Sequence, residues 1–184
     1  MNKSALLFAY AVSSVLLFNL AYANSPSPYS GQELRKIKAL SPEDVLAYLS
    51  GKGLGLAKAA ELNGYPGPSH VLALASELGL TADQKQRTES LFKSMESKAI
   101  LLGQPLVEEE RKLDQMFAEK MITPESLGQS LTRIGELQGQ LRLAHLEAHL
   151  TQVEILTPAQ VSKYMLLRGY SDAHQTESHA GHKH

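Results

Sequence analysis

The sequence predicts an all-α fold: a long, kinked antiparallel helical hairpin with short flanking helices. Three observations predict it. Leu, Ala, Glu, Gln and Lys, all strong helix formers, dominate the chain, while Val and Ile are too scarce for a large sheet. Two long segments carry apolar residues mostly at three- and four-residue spacing and are separated by a short polar turn. Cap-like threonines stand before both long segments and before a shorter one that follows.

In chain order, Ser41-Pro42-Glu43-Asp44 reads as an N-cap with proline in the first turn, opening a short helix through Leu49. Gly51, Gly53 and Gly55 interrupt it, and a second short helix is expected from Leu56 to Leu62. Asn63 to Pro68 is a turn cluster, after which Ser69 is expected to cap a helix from His70 to Leu78. The first long helix follows Thr81 and runs to about Lys120. Its stripe is Leu91, Met95, Ala99, Leu102, Leu106, Leu113 and Phe117. Gly103 and Pro105 should bend it, because proline removes one helical hydrogen bond and crowds the preceding turn. The turn spans Lys120 to Thr123. The return helix starts at Pro124, with Leu127, Leu131, Ile134, Leu141 and Ala148 as its inner stripe. A terminal helix covers Pro158 to Arg168.

The division expected is 1–23, an export signal; 24–40, a linker; 41–68, short helices and Gly/Pro turns; 69–170, the hairpin domain; and 171–184, a disordered histidine-rich tail. The signal rests on Lys3, the apolar run through Phe18, and Ala21-Tyr22-Ala23 as a small-x-small cleavage site. The alternative is an uncleaved anchor, since the run from Ala5 to Ala23 is just long enough for a bilayer. Cleavage would remove Lys3 and no acid, taking the formal net charge from −1 to −2. With no cysteine in the chain, disulfides, thiol catalysis and thiolate metal sites are excluded. No basic stripe invites nucleic acid. No Gly-rich phosphate loop follows a strand, and nothing arranges the Ser, His and acidic residues for catalysis, so an enzyme is not expected.

Two near-identical strings bracket the hairpin: Leu80-Thr81-Ala82-Asp83-Gln84 and Leu156-Thr157-Pro158-Ala159-Gln160. Each reads as a capping box, with Thr81 or Thr157 accepting a bond from the backbone N–H three residues on and Gln84 or Gln160 reaching back. The paired strings, the hairpin between them, the export signal and the histidine-rich end resemble the LTxxQ family of periplasmic proteins. That family takes in Spy- and CpxP-like chaperones and ZraP- and CnrX-like heavy-metal-resistance proteins. The resemblance covers roughly Ser69 to Arg168. It implies a Spy/CpxP-like, often dimeric, non-catalytic protein of the Gram-negative periplasm. Relatives of this kind cradle unfolded clients, bind zinc partly through a tail, or sense metal while tethered to a membrane.

His145 and His149 are the sharpest chemical feature. Four-residue spacing stacks both imidazoles on one helix face, where both can reach one cation, and imidazole suits Zn, Ni and Cu. The CnrX-like sensors use the same spacing. Antiparallel register brings Met95 and Glu96 near the pair, and His70 opens a helix at the same end of the hairpin. A helix start disfavours charged imidazole, which suits a ligand there. The tail offers His174, His179, His182 and His184 as a second, adaptable class of metal ligand. Leu143, Leu146, Leu150 and Val153 form a second apolar stripe on the return helix, to be covered partly by Val161, Tyr164 and Met165 and partly by a dimer partner or a client. The expectation is therefore a periplasmic, metal-binding, chaperone-like protein of envelope stress or heavy-metal resistance. It would be a homodimer, with unfolded envelope proteins or a sensor or anti-sigma partner as ligands, and with membrane contact only if the signal is retained. A membrane-tethered metal sensor and a non-metal helical interaction module are the alternatives.

Overall fold

The computed structural model describes residues 27–170. The expected signal, the first residues of the expected linker and the tail histidines His174, His179, His182 and His184 lie outside them. The chain divides into two compact units, one to Lys38 and one from Ala39. In the first, Gln32–Leu34 makes one turn of 3-10 helix. The second unit contains seven helices among the described residues: α1 (Pro42–Leu49), α2 (Lys58–Glu61), α3 (Pro68–Ala73), α4 (Ala75–Leu78), α5 (Ala82–Ala118), α6 (Pro124–Ile155) and α7 (Pro158–Leu167). The described residues contain no strand, and no helix among them is long and apolar enough to cross a membrane.

Helices α5 and α6, 37 and 32 residues long, form the hairpin. Their register is antiparallel. Gln152 Nε2 donates to Thr88 Oγ1 (3.2 Å) near one end, and Lys98 Nζ donates to Glu147 Oε2 (3.0 Å) further along. Ala99, Leu106, Ile134, Leu137 and Leu141 make the central cluster, with Leu102 and Leu113 packed against it. The inner face of α6 runs through Ser130, Ile134, Leu137, Leu141, Ala144 and Ala148. Leu131 is therefore exposed, as is Phe117 towards the turn, although both were expected on the inner stripes. Successive helical residues lie about 100° apart, so one residue of register separates the Ser130 face from a Leu131 face. Leucine content alone favours the wrong one.

The short helices differ from expectation in detail. α2 starts at Lys58 rather than Leu56, and the helix expected from His70 to Leu78 is split at Leu74 into α3 and α4, with Gly67 rather than Ser69 at its N-cap. The expected segment 41–68 is not set apart from the hairpin: α1 packs on α5 and α2 on α6. Val161, Tyr164 and Met165 do not cover the second stripe of α6. They join Val71, Leu78 and Leu156 in a separate apolar cluster beneath α3 and α4. α5 continues unbroken through Pro105.

Both repeated strings form capping boxes, as do Ser41 with Asp44 and Thr123 with Ser126. The two copies are also bonded to each other. Gln84 Nε2 donates to Gln160 Oε1 (2.8 Å), and Gln160 Nε2 donates to Gln84 Oε1 (3.0 Å). Each amide oxygen also takes the N–H of its own cap residue, Thr81 or Thr157. Gln84 Nε2 donates to the Ile155 carbonyl (2.9 Å) as well. One side-chain pair thus caps two helices and closes the open end of the hairpin. Gln84→Ala and Gln160→Ala should each cost about 1–2 kcal/mol, and the double variant should cost about 1 kcal/mol less than their sum. Denaturant unfolding of the four proteins checks this. Strict additivity would mean that the cross-link contributes nothing beyond the two caps.

Candidate functional site

A cavity of about 670 Å³ lies at this end of the hairpin, within the second unit. Four elements build its walls. α6 contributes His145 and His149; α5 contributes Phe92, Met95 and Glu96; α2 contributes Glu61; α3 contributes His70. The turns bearing Gly51, Gly53, Gly55 and Gly67 complete it. The helix residues singled out from sequence as metal ligands, His145, His149, Met95, Glu96 and His70, thus border one space. Glu61 was not among them.

His149 is fixed by its surroundings. Its Nδ1 lies 2.7 Å from the Tyr65 carbonyl oxygen. A carbonyl can only accept, so Nδ1 carries the proton and, in the neutral ring, Nε2 keeps the lone pair. The Cε1–Nε2 edge faces Gly67, and a Cβ on Gly67 would lie 2.8 Å from both atoms. Glycine therefore preserves the space beside that lone pair. Gly67 has an ordinary φ of −88°, so its lack of a side chain matters here for room rather than backbone freedom.

His145, one turn earlier, is 4% exposed, and its Nε2 is buried without a hydrogen-bond partner. Burial, and then the neighbouring His149, hold its pKa below the ordinary histidine value. The unfolded imidazole takes up a proton near pH 6.5, whereas the folded one resists it. In that range the unfolded state binds more protons. Stability present above the unfolded pKa is therefore lost as pH falls through the lowered folded value. Thermal unfolding midpoints should drop between pH 7 and 5, and less so in His145→Gln. A midpoint that rises on acidification would contradict the burial argument.

Glu61 is a buried carboxylate whose two oxygens have different surroundings. Oε1 accepts from Tyr164 Oη (2.5 Å), Arg168 Nε (3.3 Å) and Tyr170 Oη (3.3 Å), and His70 Nδ1 lies 3.5 Å away. Oε2 is buried with no hydrogen-bond partner and lies 3.9 Å from His149 Nδ1. Tyr164 has no exposed surface. Its hydroxyl pKa is pushed far up, by burial first and by the bond to Glu61 second, so it remains a donor at any ordinary pH. A signal for Glu61 existed in the sequence: it is the lone acid in the run from Leu56 to Leu62. Nothing in the sequence pattern joined it to Tyr164, Arg168 and Tyr170, about 100 residues away.

These donors are not gathered into a finished metal cage: among the described residues no three His, Asp or Glu side chains converge on one point. The site instead offers two imidazoles, one of them with its tautomer fixed, and a carboxylate oxygen with no partner. On the outer face of α6, Leu143 and Leu150 are 51% and 54% exposed, while Leu146 and Val153 are half-buried. Compared with protein-family models, with curated proteins and with solved structures, the chain finds no match.

Proposed function

We propose that this chain is a divalent-metal-binding, chaperone-like protein of the bacterial envelope, serving heavy-metal resistance or envelope stress, with the histidine cavity as its metal site. One observation carries the reading: His145 Nε2 and Glu61 Oε2 are buried without partners on the same cavity as His149, whose free Nε2 faces the side-chain-free Gly67. A buried polar atom with no partner costs free energy, and a bound cation would relieve that cost at the atom it meets. The donor set fits an imidazole-preferring ion such as Zn, Ni or Cu. His145 is already disposed to be neutral, so little is spent on removing a competing proton. The envelope location is supported by the export signal read from residues 1–23, and the family role by the paired LTxxQ strings.

Calorimetric titration of the purified protein with zinc tests the site. Gly67→Ala puts a methyl group against His149 Nε2 without straining the backbone and should weaken binding by about tenfold or more. His145→Ala with His149→Ala should abolish the cavity site. Circular dichroism verifies that each variant is folded. Unchanged zinc affinity in the double variant would end the metal reading of the cavity.

The exposed Leu143 and Leu150 favour a client- or partner-binding face on α6 as the chaperone-like part of the role. Leu150→Glu should reduce suppression of aggregation of a denatured client while leaving the melting temperature within about 1 °C, because surface substitutions alter stability little. Equal suppression by the variant would remove α6 from that role.

A further inference from the structure

The cavity is far larger than a bare ion needs. At about 670 Å³ it falls within the roughly 300–1,000 Å³ of small-molecule sites, which are mainly apolar with a few well-placed polar groups. Its lining has that character. Ala57, Pro68, Phe92 and Met95 supply apolar surface. Glu61, Gly67, Pro68, His145 and His149 are buried and make the floor, while Lys52, Leu54, Gly55 and Lys58 are exposed and make the rim.

The two ends differ in chemistry. On the floor, the Tyr65 carbonyl holds the His149 proton on Nδ1, so neutral Nε2 offers a lone pair into the room that Gly67 leaves. A hydroxyl of a guest would satisfy it. The rim instead presents donors and positive charge. Neither Lys52 nor Lys58 has an ion-pair partner among the described residues. Of the acids on the lining, Glu61 is already bonded to Tyr164, Arg168 and Tyr170, which leaves Glu96 against two lysines. Between the lysines, the amide N–H groups of Gly53, Leu54 and Gly55 donate to no backbone carbonyl among the described residues. Leu54 has a φ of 43°, a left-handed conformation that strains a leucine, yet its side chain is 46% exposed and gains little packing in return. Backbone strain of this kind gathers where a ligand is clamped.

We propose that the cavity binds a small aromatic carboxylate bearing a hydroxyl at the end opposite its acid group. The carboxylate sits at the rim, where the Lys52 and Lys58 ammonium groups and the amides of Gly53 to Gly55 supply charge-assisted hydrogen bonds. The ring lies on the apolar wall, where Phe92 and the Met95 sulfur favour an aromatic partner over an aliphatic one. The hydroxyl donates to His149 Nε2. Binding of this kind needs no metal and so goes beyond the metal reading. It uses the lone pair that a cation would take, so guest and zinc exclude one another at His149.

Calorimetric titration of the full chain in excess EDTA, with para-coumarate as the probe, tests this. The neutral para-coumaramide should bind about tenfold or more weakly, having lost its charge-assisted bonds. Cinnamate, which lacks the hydroxyl, should bind about threefold to tenfold more weakly, having lost one neutral hydrogen bond. Lys52→Gln/Lys58→Gln should erase the preference for acid over amide. Gly67→Ala, whose methyl group fills the space beside Nε2, should erase the preference for para-coumarate over cinnamate. Both lysines are exposed, so the double variant should keep its fold, which circular dichroism verifies. No saturable binding of para-coumarate at millimolar concentration, or selectivities that persist in these variants, would overturn the proposal. EDTA keeps metal out of these titrations, so either result leaves the metal reading standing. A failure to bind zinc without EDTA would overturn the metal reading and leave the carboxylate site intact.

Discussion

Gly103→Ala should destabilise the protein by about 3 kcal/mol, at the upper end for overpacking by one methyl group. In the middle of a helix the same change normally stabilises by roughly 0.5–1 kcal/mol, so the expected sign is the reverse of the propensity rule. The cause is the approach of α1 to α5. A Cβ at Gly103 would lie 2.2 Å from the Tyr48 carbonyl oxygen and 2.8 Å from the Tyr48 carbonyl carbon. These are main-chain atoms and cannot rotate away. Relief requires α1 to move off α5, which would loosen Tyr48 from the central cluster. Denaturant unfolding measures the cost. A stabilised Gly103→Ala protein would mean that α1 yields freely and that its packing on α5 contributes little. Gly139→Ala on α6 is the control: nothing lies within 4 Å of a Cβ there, so helix propensity alone should apply and stability should rise.

Gly103 also marks the limit of what the pattern could reveal. A Gly and a Pro two residues apart within a long amphipathic run were read as the place where the helix should bend. α5 continues as helix through Pro105, and Gly103 serves in addition as the seat of a neighbouring helix. A helix breaker and a close-packing glycine look the same in sequence, because both simply lack a side chain. The hairpin itself was legible, since its caps and its apolar spacing are local signals. So was the register that brings Met95 and Glu96 to the wall shared with His145 and His149, because two helices joined by a short turn leave little freedom in their alignment. The Gln84–Gln160 cross-link was not legible. The two copies of the motif were visible, but each glutamine already had a complete role as a local cap. The arrangement around Glu61 was hidden for a related reason. A four-residue helix carries no periodicity, and partners about 100 residues apart leave no pattern.

Glu61→Leu is the second change expected to be severe, at about 3 kcal/mol or more. Glu61 Oε1 is the acceptor for the hydroxyl of Tyr164, a side chain with no exposed surface. Without an acceptor, that buried donor loses its bond and cannot reach water, which costs about 1–3 kcal/mol. Arg168 and Tyr170 lose the same oxygen, and the end of α7 loses its hold on α2. Removing one partner of a buried charged pair typically costs about 3–5 kcal/mol, but Arg168 is partly exposed, so its share is discounted towards the surface value. Glu61→Gln separates the two contributions. The amide oxygen can still accept from Tyr164, so this variant should lose only about 1 kcal/mol, most of it from the weaker bond to Arg168. Unfolding by denaturant should rank wild type above Glu61→Gln and Glu61→Gln above Glu61→Leu. Hydrogen exchange should quicken selectively in α7 and at Tyr65–Gly67 in the Leu variant. Equal stability of the Leu and Gln variants would mean that Tyr164 finds another acceptor and that Glu61 is not what fastens α7.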